Sequence, residues 1–145
     1  MIKKFSKLTE STSIKFKVGL DLHGVIDSLP EFFSFLSESI VKNGGEVHII
    51  TGGSWTTELQ NQIKSYGVVW THHFSVYDFL VESGTKSVGE HTFIDGSIQE
   101  KFPNEIWDKV KADYCKEKQI NLHIDDTLSY NDYFTTPFAR LWSNK

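Results

Sequence analysis

Hydrophobic and polar positions along the chain follow two patterns in turn. Short apolar runs that end in polar residues alternate with longer stretches whose apolar residues are three and four positions apart. The first pattern is typical of buried strands and the second of amphipathic helices. The predicted strands are residues 18–22, 47–50, 68–70, 122–124 and 139–142, and the predicted helices are residues 30–42, 54–66 and 104–118.

This order of elements predicts the fold class. Strands separated by helices pair in parallel through right-handed crossovers, so we expect an α/β three-layer sandwich of the Rossmann-like kind, with helices on both faces of a mostly parallel sheet. The segment 71–103 fits this rhythm poorly, with a short helix in "YDFLVESG" and a strand and turn in "HTFIDGS". The 145 residues predict one domain, 1–145, with a small lid or insert at about 71–103.

Composition narrows the class of partner. The formal charge of −4 argues against a nucleic-acid or anionic-membrane surface, and no apolar run reaches the length that spans a bilayer. Cys115 is the only cysteine, which is typical of a reducing compartment, and "MIKKFSKLTESTSIKFK" lacks the apolar block of a signal peptide. We therefore expect a cytoplasmic protein without a membrane partner.

Polar residues close the predicted strands. Asp21 and His23 lie at the end of the first strand, Thr51 follows the second, and Asp125 and Asp126 close the strand at 122–124. The carboxyl ends of parallel strands form the ligand crevice of such sheets. These side chains are therefore expected to converge on one edge.

The stretches "DLHGVI", "VHIITGG" and "NLHIDD", with a lysine before the last, resemble the haloacid dehalogenase superfamily of phosphohydrolases. The first motif of that family is an aspartate, any residue, a second aspartate, a glycine, then threonine or valine. Asp21, Gly24 and Val25 fit it, and the second motif, a strand that ends in threonine or serine, is met by Thr51.

The third and fourth motifs are met further along the chain. The third is a lysine, for which Lys111 is the first choice ahead of Lys109 and Lys116. The fourth is an acidic pair after a strand, which Asp125 and Asp126 supply. The resemblance runs from about residue 17 to residue 126 and implies a fold with a minimal cap.

The resemblance implies a Mg²⁺-dependent phosphatase. Asp21 would attack a phosphomonoester and form an aspartyl-phosphate. The implied Mg²⁺ ligands are Asp21, the backbone carbonyl of His23, and Asp125, while Asp126 binds through water or orients the others. Thr51 and the backbone around Gly52 would hold the phosphoryl oxygens.

Lys111 would then neutralise part of the charge on the phosphate and on Asp21. Gly24 permits the close turn that the motif needs beside the transferred group.

His23 departs from the family pattern, because the relatives have the second aspartate at this position. That aspartate protonates the leaving oxygen and later accepts a proton from water, and imidazole can do both. The alternative is a catalytically weakened or inactive protein that binds phosphorylated ligands as a regulatory or binding module.

The expected substrate is a small phosphorylated molecule. Only thirty residues separate Asp21 from Thr51, so any lid must come from residues 71–103, where aromatic residues such as Phe74, Tyr77 and Phe93 are suited to flank a nucleobase or a sugar. We rank nucleotides slightly ahead of sugar phosphates, with the phosphorylated end of a larger molecule also open.

The remaining histidines are interpreted as structural. His48, His91 and His123 are assigned no chemistry, and His72 and His73 point to opposite faces if the chain is extended there.

Overall fold

A five-stranded parallel sheet is the centre of the molecule. The computed structural model describes residues 15–142, so residues 1–14 and 143–145 of the predicted domain lie outside the described part. The strands stand in the order β3-β2-β1-β6-β7. They are β1 Lys17–Leu20, β2 Glu46–Thr51, β3 His72–Ser75, β6 Leu122–Asp125 and β7 Phe138–Arg140, and an antiparallel hairpin of β4 Gly89–Thr92 and β5 Ile98–Lys101 stands apart.

Four α-helices connect these strands. They are α1 Pro30–Lys42, α2 Thr57–Ser65, α3 Val76–Glu82 and α4 Asn104–Glu117. Within residues 15–142, none of the helices combines the length and the apolar character needed to cross a membrane.

Helices cover both faces of the sheet, as predicted. On one face, Phe33 of α1 and Ile63 of α2 pack against inward residues of β1 and β2. On the other face, Tyr114 and Cys115 of α4 pack against Ile50 of β2. The α/β class with a parallel sheet flanked by helices is therefore confirmed.

The start of α2 differs from the prediction. The expected helix 54–66 begins at Thr57, because Ser54 and Trp55 are held elsewhere and Thr56 is the capping residue. Ser54 Oγ donates to Asp78 Oδ1 at 2.6 Å and the Trp55 backbone N–H donates to Asp78 Oδ2 at 2.9 Å. Thr56 then caps the helix, since its hydroxyl accepts the Leu59 N–H.

The third strand is also displaced, so the prediction of a strand at 68–70 is wrong. Val68 belongs to a loop, although its side chain is buried in the core. The hydrogen-bonded pairing of β2 with β3 begins only at His72. Between these two residues, the Thr71 hydroxyl accepts the Val47 N–H at 2.9 Å, which a backbone carbonyl would accept if the strand continued there.

His72 and His73 do lie on opposite faces of β3. The His72 ring stacks on His48, whereas the His73 ring stacks on Trp55.

The segment 71–103 contains β3, α3 and the hairpin. Every residue of β4 is exposed, and the Glu100 N–H at β5 donates to the Tyr77 hydroxyl at 3.3 Å. The turn between the two strands contains Asp95, whose Oδ1 accepts the Ser97 N–H. The hairpin is therefore joined to the body mainly through the neighbourhood of Tyr77 and the buried Phe102.

Candidate active site

Strand register brings the first and fourth motifs together. Leu20 pairs with Ile49 on one side and with Ile124 on the other. Asp21, one residue further on, is therefore level with Asp125, and its backbone N–H donates to the Ile124 carbonyl at 3.1 Å. The chain reverses its direction of travel across the sheet between β1 and β6, and ligand crevices form at such switch points.

Lys111 extends from α4 into this edge. Its Nζ lies 3.1 Å from Asp21 Oδ1 and 2.8 Å from Asp125 Oδ2, and the residue is 1% exposed. The ammonium group also lies 4.9 Å from the centre of the Tyr130 ring. Lys109 and Lys116 are exposed, so Lys111 is the one of the three candidate lysines that the fold brings to the site.

Asp125 is held by four donors. Its Oδ1 accepts the N–H groups of Asp126 and Thr127 at 2.9 and 3.2 Å, and its Oδ2 accepts from Lys111 Nζ and from His123 Nε2 at 2.8 and 2.9 Å. An ionised carboxylate has about four acceptor positions, so this one is fully occupied by protein groups.

The surroundings keep Asp125 ionised. Burial alone raises the pKa of Asp125, but the hydrogen bond from His123 and the charge of Lys111 outweigh burial and hold the pKa well below its usual range.

Asp126 has fewer partners than Asp125. Its Oδ1 accepts only from the Thr127 hydroxyl, at 3.3 Å, and its carboxyl group lies against Gly24. Gly24 has a φ of +80°, and a Cβ atom there would overlap the Asp126 carboxylate. Two independent requirements, the left-handed backbone and the close approach, therefore demand glycine at this position.

Three carboxylates meet at this edge. A carboxylate oxygen of each of Asp21, Asp125 and Asp126 lies within 4.8 Å of an oxygen of the other two, and Asp21 and Asp126 are the two acids with acceptor positions still open. Lys111 supplies one positive charge against these acids, so a negative charge remains when all three are ionised. Hard oxygen donors and excess negative charge are what Mg²⁺ and Ca²⁺ require, and the cluster fits such a cation.

The surroundings of Asp21 favour its protonated form. Burial raises the pKa of Asp21 to about 7, although the neighbouring Lys111 opposes this change. For Lys111, burial alone lowers the pKa, but the charges of Asp21 and Asp125 outweigh it and raise the pKa above its usual range. The lysine is therefore a permanent cation between two acids.

Thr51 and Gly52 end β2 on the same edge. Thr51 is buried, yet its hydroxyl makes no hydrogen bond to any other residue that the structure describes. A Cβ atom at Gly52 would lie 3.1 Å from Trp107 Cζ2, so the indole packs directly against this glycine. The Thr51 hydroxyl and the half-buried Gly52 backbone are the groups at the end of β2 that can donate to an oxyanion.

His23 is not part of the buried cluster. Its side chain is 69% exposed, and Nδ1 lies 3.4 Å from Asp27 Oδ2. Asp27 also accepts the Gly24 N–H at 2.7 Å, so it fixes the turn that carries the histidine. The imidazole lines a cleft beside the site.

Three residues next to the site were not assigned to it from the sequence. His123, interpreted as structural, hydrogen-bonds Asp125, Tyr130 contacts Lys111, and Trp107 Nε1 donates to the Tyr130 hydroxyl at 3.2 Å. His123 and Asp125 are two residues apart on one strand and so share a face, which is a signal that the sequence does contain. No local pattern points to Trp107 or Tyr130.

Comparison with known proteins assigns no family to this chain. Searches against protein-family models, curated proteins and solved structures found no match for this chain.

Proposed function

We propose that this chain is a metal-dependent phosphomonoester hydrolase of the haloacid dehalogenase kind, with Asp21 as the nucleophile. The observation that supports this most is the buried arrangement of Asp21, Lys111 and Asp125 at the switch point of a parallel sheet. Buried charged groups with perturbed pKa values in such a crevice are typical of reaction sites.

Charge explains why these groups belong together. A carboxylate that attacks a phosphate dianion meets repulsion, which Lys111 reduces from 3.1 Å away. When bound, Mg²⁺ supplies the remaining positive charge and polarises the phosphoryl oxygens.

Asp21, Asp126 and the His23 carbonyl are the groups we expect to hold the ion. Asp125, with four donors already bound, serves in this proposal mainly to fix Lys111.

The reaction has two steps. Asp21 attacks phosphorus, the bond to the ester oxygen breaks, and the leaving alkoxide takes a proton from His23, which leaves an aspartyl-phosphate. Water then gives its proton to His23 and attacks phosphorus, so that phosphate leaves and Asp21 is regenerated. Thr51 and the Gly52 backbone bind the phosphoryl oxygens in both steps.

A second candidate is a module that binds phosphorylated ligands without turnover. The exposed His23 ring and its long 3.4 Å contact with Asp27 favour it, because a general acid works best when it is positioned.

The first prediction separates these candidates. With an aryl phosphate and Mg²⁺, the wild-type protein is expected to release phosphate, and Asp21→Asn to lose at least about a thousandfold of that rate, since nucleophile removal leaves only the binding contribution. Asp113→Asn, an exposed acid on α4, is the matched control and is expected to retain the wild-type rate.

Two outcomes bear on the candidates in opposite ways. Retained phosphate binding without turnover in the wild-type protein would favour the binding module. Turnover that His23→Asp keeps or raises would support the hydrolase and show that imidazole stands in for the usual acid.

A further inference from the structure

A cleft of about 530 Å³ lies next to the candidate active site. His23, Gly52 and Gly53 line it on the side of the motifs, and His91, Phe93 and Gln99 line it on the side of the β4–β5 hairpin. Volumes of about 300–1,000 Å³ are typical of pockets for small organic ligands. The cleft is therefore large enough to hold the part of a ligand that extends beyond a phosphate group bound at the motifs.

Aromatic rings form much of the wall. Trp107 packs against Gly52, where the phosphoryl group is proposed to bind, and Tyr77 lies near the base of the hairpin. Phe93 is 39% exposed, and its ring meets the His91 ring edge to face, with 4.6 Å between the ring centres. Partly exposed aromatic rings in a cleft are suited to stack on a planar ligand.

Two amide side chains add hydrogen-bonding capacity. Gln99 and Asn104 line the cleft, and their side chains hydrogen-bond no other residue within 15–142. A primary amide has both donors and an acceptor, which matches the mixed edge of a nucleobase.

The charged groups of the wall do not oppose an anionic ligand. The chain as a whole carries a formal charge of −4, yet Lys101 lines the hairpin side of the cleft and balances the one acid there, Glu100. A ligand that joins a planar heterocycle to a phosphate agrees with the rings, the amides and the lysine at once.

We propose that this cleft binds the base of a nucleoside monophosphate whose phosphate lies at Asp21, an inference that rests on the function proposed above. A sugar phosphate without a base would leave Phe93 and both amides without a partner. The same chemistry is presented by a free nucleotide and by the phosphorylated terminal nucleotide of a strand.

The test compares substrates that differ only by the base. We expect kcat/KM for adenosine 5′-monophosphate to exceed that for ribose 5-phosphate by about tenfold or more, the range that base stacking gives. Phe93→Ala is expected to remove most of this difference, and Phe93→Trp to retain it. Ile94→Ala, fully exposed on the same hairpin, is the matched control.

Equal kcat/KM for the two substrates, unaffected by Phe93→Ala, would overturn the inference and leave the phosphatase proposal standing. If no ester is hydrolysed, the phosphatase proposal fails, and calorimetric titration of Asp21→Asn with the same two ligands in Mg²⁺ decides the inference alone. Tighter binding of the nucleotide supports it, and equal or absent binding of both contradicts it.

A second set of substrates identifies the source of the nucleotide. Faster turnover of adenosine 5′-monophosphate than of a 5′-phosphorylated oligonucleotide supports base binding with a free nucleotide as the ligand. The reverse order supports base binding with a strand end as the ligand.

Discussion

Asp21 is an acid at a buried position, where ionisable side chains are rare because burial removes their contact with water. It directly follows the buried strand β1, is 8% exposed, and faces an ammonium group at 3.1 Å. Lys111 cannot fully offset the cost of burying this carboxylate, because Asp125 uses the same ammonium group. Burial raises the pKa of Asp21 and the charge of Asp125 adds to the rise, whereas Lys111 opposes the rise without cancelling it.

This environment predicts how the stability of the metal-free protein depends on pH. Since the folded-state pKa of Asp21 is raised from 3.8 to about 7, its contribution to the free energy of unfolding is complete below pH 3.8 and is lost as the pH rises toward about 7. Asp21→Asn lacks this dependence. We therefore expect the wild-type free energy of unfolding, relative to that of Asp21→Asn, to fall across this window in urea titrations with a chelator.

His48 and His123 have pKa values lowered by burial, which gives an opposite slope near neutral pH. They are present in both proteins, so their effect cancels in the difference. Parallel curves for the two proteins would contradict the prediction.

The position of Lys111 on α4 explains why this lysine, and neither Lys109 nor Lys116, reaches the site. Lys111 is three residues before Tyr114 and four before Cys115, so it shares the buried face of α4 with them. Lys109 and Lys116 fall on the exposed face. Helical phase therefore favours Lys111 in the sequence itself, but only the packed structure shows that the buried face meets the ends of β1 and β6.

At the scale of elements, the hairpin and the sheet perform separate tasks. The candidate chemistry comes from β1, β2, β6 and α4, whereas β4 and β5 supply only the wall of the cleft. The hairpin is exposed and shares few contacts with the sheet, so its removal should cost little stability.

A shortened hairpin tests this separation. Gly89 and Lys101 are paired across the hairpin, so replacing residues 90–100 with Asn-Gly closes the ladder with a two-residue turn. We expect the melting temperature to change by less than about 5 °C, which corresponds to about 1 kcal/mol in a domain of this size. Turnover of ribose 5-phosphate should persist while the preference for the nucleotide disappears.

Loss of cooperative melting in the shortened protein would show instead that the hairpin supports the fold. Glu90→Gln, an exposed change within the removed segment, controls for loss of charge alone.

The displaced third strand has a related explanation. "VVW" is more apolar than the stretch that follows it, yet it forms no strand. Val68 lies in a loop and packs into the core, and pairing with β2 begins with the Thr71 hydroxyl and the backbone of His72. Local hydrophobicity identifies buried residues, whereas the hydrogen-bond ladder depends on where β2 lies. The position of a strand boundary is therefore less readable from sequence than its existence.

Taken as a whole, the molecule concentrates negative charge at one sheet edge, and a bound cation should stabilise the folded state. Saturation at one hundred times the dissociation constant adds about 2.7 kcal/mol to the free energy of unfolding. We expect Mg²⁺ to raise the melting temperature by several degrees over a chelator control, and Asp126→Asn to lose most of this rise. Asp113→Asn should keep it, and an equal rise in all three proteins would indicate a non-specific salt effect.

The sequence and the structure agree where long-range order follows from local pattern. Alternating strands and helices imply a parallel sheet, and a parallel sheet brings its carboxyl ends together, so Asp21, Asp125 and Asp126 were predictable as neighbours. The support of Lys111 by Tyr130 and the contact of Trp107 with Gly52 depend on the packing of distant segments. No periodicity encodes such contacts.

The indole of Trp107 gives the protein a built-in optical reporter. Trp55 and Trp70 pack against each other in the α1–α2 core, and Trp142 is exposed near the end of β7. Trp107 alone among them borders both Gly52 and the cleft. Changes in ultraviolet emission on mixing with a ligand would therefore follow occupancy in real time, without a label and without any need for catalysis.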